Sequence, residues 1–253
     1  MKLAELYRHL KAGVVERIAR SPEREAFVLR GGLLTAAWVA PLPRQTRDLD
    51  FVGTFAWNVE AATARFTHAV EDTAVGDAID VAVIGSSGLW IDSEFPGVRI
   101  EVVMSYAGTN HQVMVDVGFN DPLVPPPIDL DFAGTTGRVP VRAVRPETQL
   151  AWKLHALAEM TTSWRPKDLH DAWLICMKVP LDDAQLVPAI VAAFESRGYA
   201  RATCLGLFDA PHWATKTSRL RWELPRPLEQ VVGEVRTRLA PVFAALPMWE
   251  GTR

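Results

Sequence analysis

The chain has 253 residues, 49% of them hydrophobic and 23% charged, with a formal net charge of −3. That balance is ordinary for a folded globular protein, and it excludes a polyanion partner held by overall charge. Any nucleic acid would have to meet a local cluster of Lys and Arg. Two cysteines, Cys176 and Cys204, are too few for a disulfide framework or a zinc site and read as buried free thiols.

Leu3, Leu6, Leu10, Val14 and Ile18 recur at three- and four-residue steps, which predicts an amphipathic helix over the first twenty residues. The same stretch interleaves charges and is no signal peptide. No run in the chain approaches the ~18 apolar residues of a membrane span. A cytoplasmic protein without a membrane partner is expected. Ser21-Pro22 ends the first helix, and residues 26–29 read as a short strand that stops at Gly31-Gly32. Residues 33–39 have helical composition until Pro41 and Pro43 break it. Residues 48–52 read as another strand and 59–70 as a helix. Three β-rich segments follow, 79–84, 98–106 and 112–117, whose alternation fits neighbouring strands of one sheet. Asp121-Pro122 and Pro125-Pro126-Pro127 mark an irregular stretch, and a domain boundary is placed at 138/139. Beyond it the periodicity predicts helices over 146–160, 166–177, 182–197 and 226–245, with extended pieces near 201–207 and 219–224. The fold class expected is α+β: an α+β domain over 1–138 and a helical domain over 139–253.

The strongest chemical signal is Gly31-Gly32 followed by Asp48-Leu49-Asp50. On a strand, residues i and i+2 project from one face, so Asp48 and Asp50 would point the same way. Two adjacent carboxylates repel unless a positive group lies between them, and Mg²⁺ with its hard oxygen ligands suits that place. A Gly-Gly turn opening a helix would turn backbone N–H groups toward an anion. The plainer alternative is a solvated Asp-x-Asp beside a tight turn. Two-metal phosphoryl chemistry wants a third carboxylate. Asp116, sharing a strand face with Met114 and Gly118, is favoured for it, and Glu101 is the rival. In the helical half, Leu150, Lys153, Leu154 and Leu157 form a stripe that puts Lys153 on or beside a packed face. Asp168 and Asp171 open the next helix, where acids suit the positive end, so a buried pair with Lys153 competes with a surface lysine and ordinary helix-end charges. The six histidines show no metal-ligand spacing, and neither a nucleophile elbow nor a P-loop is present.

Taken together, five segments resemble the AbiEii/AbiGii family of nucleotidyltransferase toxins, which includes the MenT-type toxins. They are Phe27-Val28-Leu29-Arg30-Gly31-Gly32; Arg44-x-x-Arg47-Asp48-Leu49-Asp50-Phe51; Val113-Met114-Val115-Asp116-Val117; Glu147-x-x-Leu150-Ala151-Trp152-Lys153-Leu154-His155-Ala156-Leu157; and Arg165-Pro166-Lys167-Asp168-Leu169-His170-Asp171. The last two are the most specific. The resemblance implies a polymerase-β-like nucleotidyltransferase domain with a mixed sheet, followed by a helical C-terminal domain that contributes Lys153 and Asp168 to the site. It implies transfer of a nucleoside monophosphate from an NTP, with Mg²⁺ or Mn²⁺ as cofactor and the 3′ end of tRNA as acceptor. That activity would be the toxin of a toxin–antitoxin system, with a cognate antitoxin as partner. By position, Asp48, Asp50 and Asp116 would bind metal, and Lys153 with its paired Asp168 would serve the nucleotide. Gly31, Gly32 and Arg47 would serve the triphosphate. Many nucleotidyltransferases carry Gly-Ser at the turn; Gly31-Gly32-Leu33 lacks that hydroxyl. A small-molecule or protein acceptor is the alternative enzyme reading, and a catalytically degenerate partner-binding domain is the alternative of another class.

Overall fold

The computed structural model describes residues 2–39, 46, 48–159, 166–208 and 226–252. It divides into two compact units, Met1–Asp121 with Pro127–Val144, and Pro122–Pro126 with Arg145–Arg253.

In the first unit the elements run α1 (Leu3–Arg20), β1 (Phe27–Arg30), α2 (Gly31–Val39), β2 (Leu49–Gly53), α3 (Val59–Glu71), β3 (Ile79–Leu89), β4 (Gly97–Tyr106), β5 (Thr109–Gly118), β6 (Ile128–Ala133) and β7 (Arg138–Ala143). The seven strands form one mixed sheet in the order β3-β4-β5-β2-β1-β7-β6. The β2–β5 and β1–β7 pairs are parallel and the others antiparallel. The predicted strand–glycine–helix–strand order is present.

Strand alternation sorts the side chains of this sheet into two faces. Phe27, Leu29, Phe51, Val98, Ile100, Val102, Val115 and Val117 line one face and are buried. The α1 and α3 helices cover it, with the Phe27 ring meeting Phe51 and Phe66 edge-on at 6.1 and 5.8 Å. Each such side chain contributes about 1.5–3 kcal/mol by leaving water. Positions between them, including Asp50, Arg99, Glu101, Met114 and Asp116, are only half-buried. The sheet thus has an apolar face that holds the fold and a polar face left for chemistry.

The β6–β7 hairpin falls where the sequence reading has an irregular stretch. Ile128 to Ala133 does alternate, but Pro140 sits inside β7, and proline argues against a paired strand. Among the described residues β7 has a strand partner on its β1 side only at Ala143, opposite Leu29, so none of them pairs as a strand with Pro140 on that side. The hairpin turn is tied to α1 by Glu16, whose buried carboxylate accepts bonds from the backbone N–H groups and hydroxyls of Thr135 and Thr136. A Cβ on Gly134 would lie 2.4 Å from that carboxylate, so glycine is required there.

The second unit is helical: α4 (Pro146–Glu159), α5 (Pro166–Lys178), α6 (Asp183–Glu195), α7 (Arg201–Leu205) and α8 (Leu228–Ala244). Leu150, Leu154 and Leu157 on α4, Leu186, Ile190 and Phe194 on α6, and Val231, Val235, Leu239 and Val242 on α8 supply helical stripes of core residues. The segment near 201–207, read as extended, is instead the one-turn helix α7 followed by a 3₁₀ turn at Gly206–Phe208. Five residues are too few for helical periodicity to show in a sequence, and burial of Cys204, Leu207 and Phe208 holds the segment in place. The piece predicted at 219–224 lies outside the described residues. Among the described residues no helix is long and apolar enough to cross a membrane.

Candidate active site

Four charged side chains form a row across the polar face of the sheet. Strand pairing sets Arg30 opposite Asp50, Asp50 opposite Asp116, and Asp116 opposite Arg99. Directly paired residues share a face and sit as near neighbours. The row therefore reads Arg–Asp–Asp–Arg over β1, β2, β5 and β4, with two carboxylates at the centre and a guanidinium at each end. Placing two acids side by side is unfavourable in isolation; Arg99 offsets it through its bonds to Asp116, while Arg30 Nη1 donates to Asp121 Oδ2 at 2.8 Å.

Asp48 departs from its sequence-based placement. It lies in a bend one residue before β2, so strand alternation does not dictate where it faces. Its proximity to the row is nevertheless evident, because both Asp48 and Asp50 add to the field that holds the Arg99 guanidinium protonated more firmly than usual. The hydrogen bond to Asp116 is the largest cause of that shift. The buried Lys11 on α1 positions the approach to Asp48: its Nζ donates to the Thr46 carbonyl and, at 3.3 Å, to the Thr46 hydroxyl. Lys11 was missed in the sequence, although its spacing to Val14, Val15 and Ile18 places it on the buried stripe of α1. Arg47 lies outside the described residues.

The Gly-Gly turn has a cause visible in the structure. Gly31 opens α2 with φ +78°, a conformation that L side chains rarely adopt, and a Cβ there would lie 2.2 Å from Asp50 Oδ2. The Asp50 carboxylate thus occupies the space a side chain at 31 would need. Gly32 is buried in the first turn of the same helix. The glycines bring a helix N-terminus against the central acid of the row.

At the other end, Arg99 grips Asp116 with both arms of its fork. Nε donates to Oδ1 at 2.8 Å and Nη2 to Oδ2 at 2.7 Å. Arg99 was not singled out in the sequence, yet a signal existed. Ala107 and Gly108 both have positive φ and form a two-residue hairpin turn between Tyr106 and Thr109. Counting back from that turn puts 99 opposite 116. Glu101, the rival third acid, pairs instead with Met114 and accepts a bond from Gln112 Nε2 at 3.1 Å. The register brings Asp116, not Glu101, beside Asp50. Among the described residues no group of three or more His, Cys, Asp or Glu side chains is already disposed to hold a metal ion.

In the helical unit, Lys153 on α4 and Asp168 on α5 do form the expected pair. Lys153 Nζ donates to Asp168 Oδ1 at 2.8 Å and lies 3.2 Å from Asp171 Oδ2. Both acids are buried, and the lysine side chain is 14% exposed. Asp171, offered by the sequence beside Asp168 as either a helix-end acid or a partner of Lys153, is a full member of the cluster because it follows Asp168 by three residues on one helix face. Together Asp168 and Asp171 fix where Lys153 Nζ sits.

The profile of the AbiEii nucleotidyl transferase toxin family, a type IV toxin–antitoxin system family, matches residues 14–239. The chain belongs to the AbiEii family. Its fold is also that of two solved proteins of Helicobacter pylori. JHP933 superposes with a TM-score of 0.56 at 15% identity, covering 97% of this chain and 94% of that one. A presumed nucleotidyltransferase superposes with a TM-score of 0.57 at 13% identity, covering 97% of each chain. A search of curated proteins finds no match. The AbiEii chain is thus a nucleotidyltransferase of a toxin–antitoxin family, and its mixed sheet is the sheet of that fold.

Proposed function

We propose that this AbiEii-family enzyme transfers a nucleoside monophosphate from an NTP to the 3′ end of tRNA in the cytoplasm, using Mg²⁺ or Mn²⁺, with a cognate antitoxin as its partner. The observation that carries the site is the register pairing of Asp50 with Asp116, with Asp48 close by. The choice of tRNA rests on the family resemblance of the motifs.

The chemistry of the donors suits a hard divalent cation, and binding one requires these side chains to draw together, since the described residues do not already hold three of them grouped. The donors are carboxylate oxygens, the ligands such ions prefer, and among the described residues Asp116 is held by a positive group, the Arg99 guanidinium. Asp48, Asp50 and Asp116 are the residues that would hold it, and when bound it supplies charge neutralisation at the phosphates and acidifies the acceptor hydroxyl. The chain's own residues do the rest. Asp116 accepts the proton of the acceptor hydroxyl, whose oxygen bonds to the α-phosphorus. The bond from that phosphorus to the bridging oxygen breaks, and pyrophosphate leaves with the electron pair. Gly31, Gly32 and Arg47 orient the triphosphate. The resemblance of its motif to the family assigns Lys153, which Asp168 and Asp171 hold, to neutralising the phosphate charge that grows as the bond breaks.

The test is label transfer. Purified protein is incubated with Mg²⁺, total tRNA and each α-labelled NTP in turn, beside the Asp48→Ala variant. Label on tRNA that depends on Asp48 supports the proposal and names the donor. Mg²⁺-dependent NTP binding without label on RNA would overturn the tRNA assignment and direct the search to small-molecule or protein acceptors.

A further inference from the structure

Arg99 raises a question the transfer chemistry leaves open. Its guanidinium engages both oxygens of Asp116, the carboxylate that the proposed reaction needs for a cation and for the acceptor proton. A bidentate Arg–carboxylate pair is among the stronger side-chain contacts, and this carboxylate is only 16% exposed. The pairing is built by the register of β4 on β5, which the two-residue turn at Ala107-Gly108 fixes, so Arg99 cannot drift away by a local loop shift. Its freedom lies in its own side chain, 39% exposed and able to rotate off the carboxylate without disturbing the core. On the same strand Glu101 is occupied by Gln112 and offers Arg99 no equivalent bidentate partner in the structure.

We propose that Arg99 is a resident counter-ion that competes with the divalent cation for Asp116, so that loading of the acidic set requires the guanidinium to release that carboxylate. The inference rests on the reading that Asp48, Asp50 and Asp116 bind metal. Arg99 keeps the central acids compatible with folding while metal is absent, and it sets a threshold of metal concentration below which Asp116 stays engaged. Removing Arg99 lowers that threshold.

The experiment measures Mn²⁺ binding to the full chain by calorimetry and by the loss of free Mn²⁺ signal in electron paramagnetic resonance. Parent, Arg99→Gln, Arg99→Lys and Asp48→Asn are compared, with circular dichroism to confirm folding. Arg99→Gln should bind Mn²⁺ roughly tenfold more tightly, since a charge-assisted pair at a half-exposed site is lost as competitor. Arg99→Lys, which keeps the charge without the fork, should fall between. Asp48→Asn should weaken binding in either background. A second readout needs no variant fold: in ¹⁵N-labelled parent protein the Arg99 Nε–H resonance should lose its hydrogen-bonded shift as Mg²⁺ is added. Metal binding that depends on Asp48 but is not tightened in Arg99→Gln, or an Nε–H resonance unmoved at saturating Mg²⁺, would overturn the competition while leaving the metal site standing. Absence of any Asp48-dependent Mn²⁺ binding would overturn the metal reading and this inference with it.

Discussion

Replacing Gly31 with alanine should disable the enzyme far more than it destabilises the fold. Two penalties coincide at this residue. The backbone sits at φ +78°, where a Cβ costs about 1–2 kcal/mol. The new Cβ would also lie 2.2 Å from Asp50 Oδ2. Real contacts of this kind stay beyond 3.0 Å, so Asp50 or the start of α2 must withdraw by about 0.8 Å. Misplacing a catalytic group by about 1 Å costs on the order of 10²-fold in rate. Gly76 supplies the control, because it has the same φ of +78° and nothing within 4 Å of its Cβ position. Gly31→Ala and Gly76→Ala should therefore share the backbone strain and differ only in the push on Asp50. Thermal melts followed by circular dichroism should show comparable modest losses, of about 1–2 kcal/mol each. Label transfer from the preferred NTP should fall on the order of 10²-fold in Gly31→Ala and stay near parental in Gly76→Ala. Parental transfer rates in a folded Gly31→Ala would refute the claim that the glycine exists to seat Asp50.

Lys153→Met removes a cation that the buried Asp168 and Asp171 share, which should cost up to about 3–5 kcal/mol. Urea unfolding followed by tryptophan fluorescence reads this, and adding Asp168→Asn should restore part of the loss because the two sites are coupled; strict additivity would contradict the pairing. Glu16 makes one acid-sensitive contact of the first unit. Burial pushes its pKa up, but the bonds from Thr136 and Thr135 outweigh that and bring it from 4.5 to about 2. The Thr–Glu16 network thus stabilises fully above 4.5 and fades as pH falls from there toward 2. At most about 3 kcal/mol is at stake, and Glu16→Gln should flatten that part of an acid titration. Identical acid profiles for parent and Glu16→Gln would contradict it.

How much of this was legible in the sequence differs from element to element. The helix stripes of α1, α4, α6 and α8 and the alternation of β4 and β5 are periodic over enough residues to read directly. The β6–β7 hairpin was hidden by Pro125 to Pro127 and Pro140, since a proline's effect depends on which strand edge it meets, and that is a property of the sheet. Asp50 and Asp116 could each be suspected from acidity on an apolar strand. Their meeting could not, because β2 and β5 are parallel partners separated by α3 and two further strands, and nothing local specifies that register. Arg99 was within reach through the Ala107-Gly108 turn. Lys11 was within reach through its place on the apolar stripe of α1, and Asp171 through its three-residue step from Asp168.

The most direct test of the account compares Asp116 with Glu101 in one assay: single-turnover transfer of α-labelled NTP to acceptor by folded Asp116→Asn and Glu101→Gln proteins. The strand register predicts that Asp116→Asn slows transfer by at least about 10²-fold while Glu101→Gln stays within about threefold of the parent. Parental transfer by Asp116→Asn, or the larger loss in Glu101→Gln, would contradict the claim that the acidic row at Asp50 and Asp116 carries the chemistry.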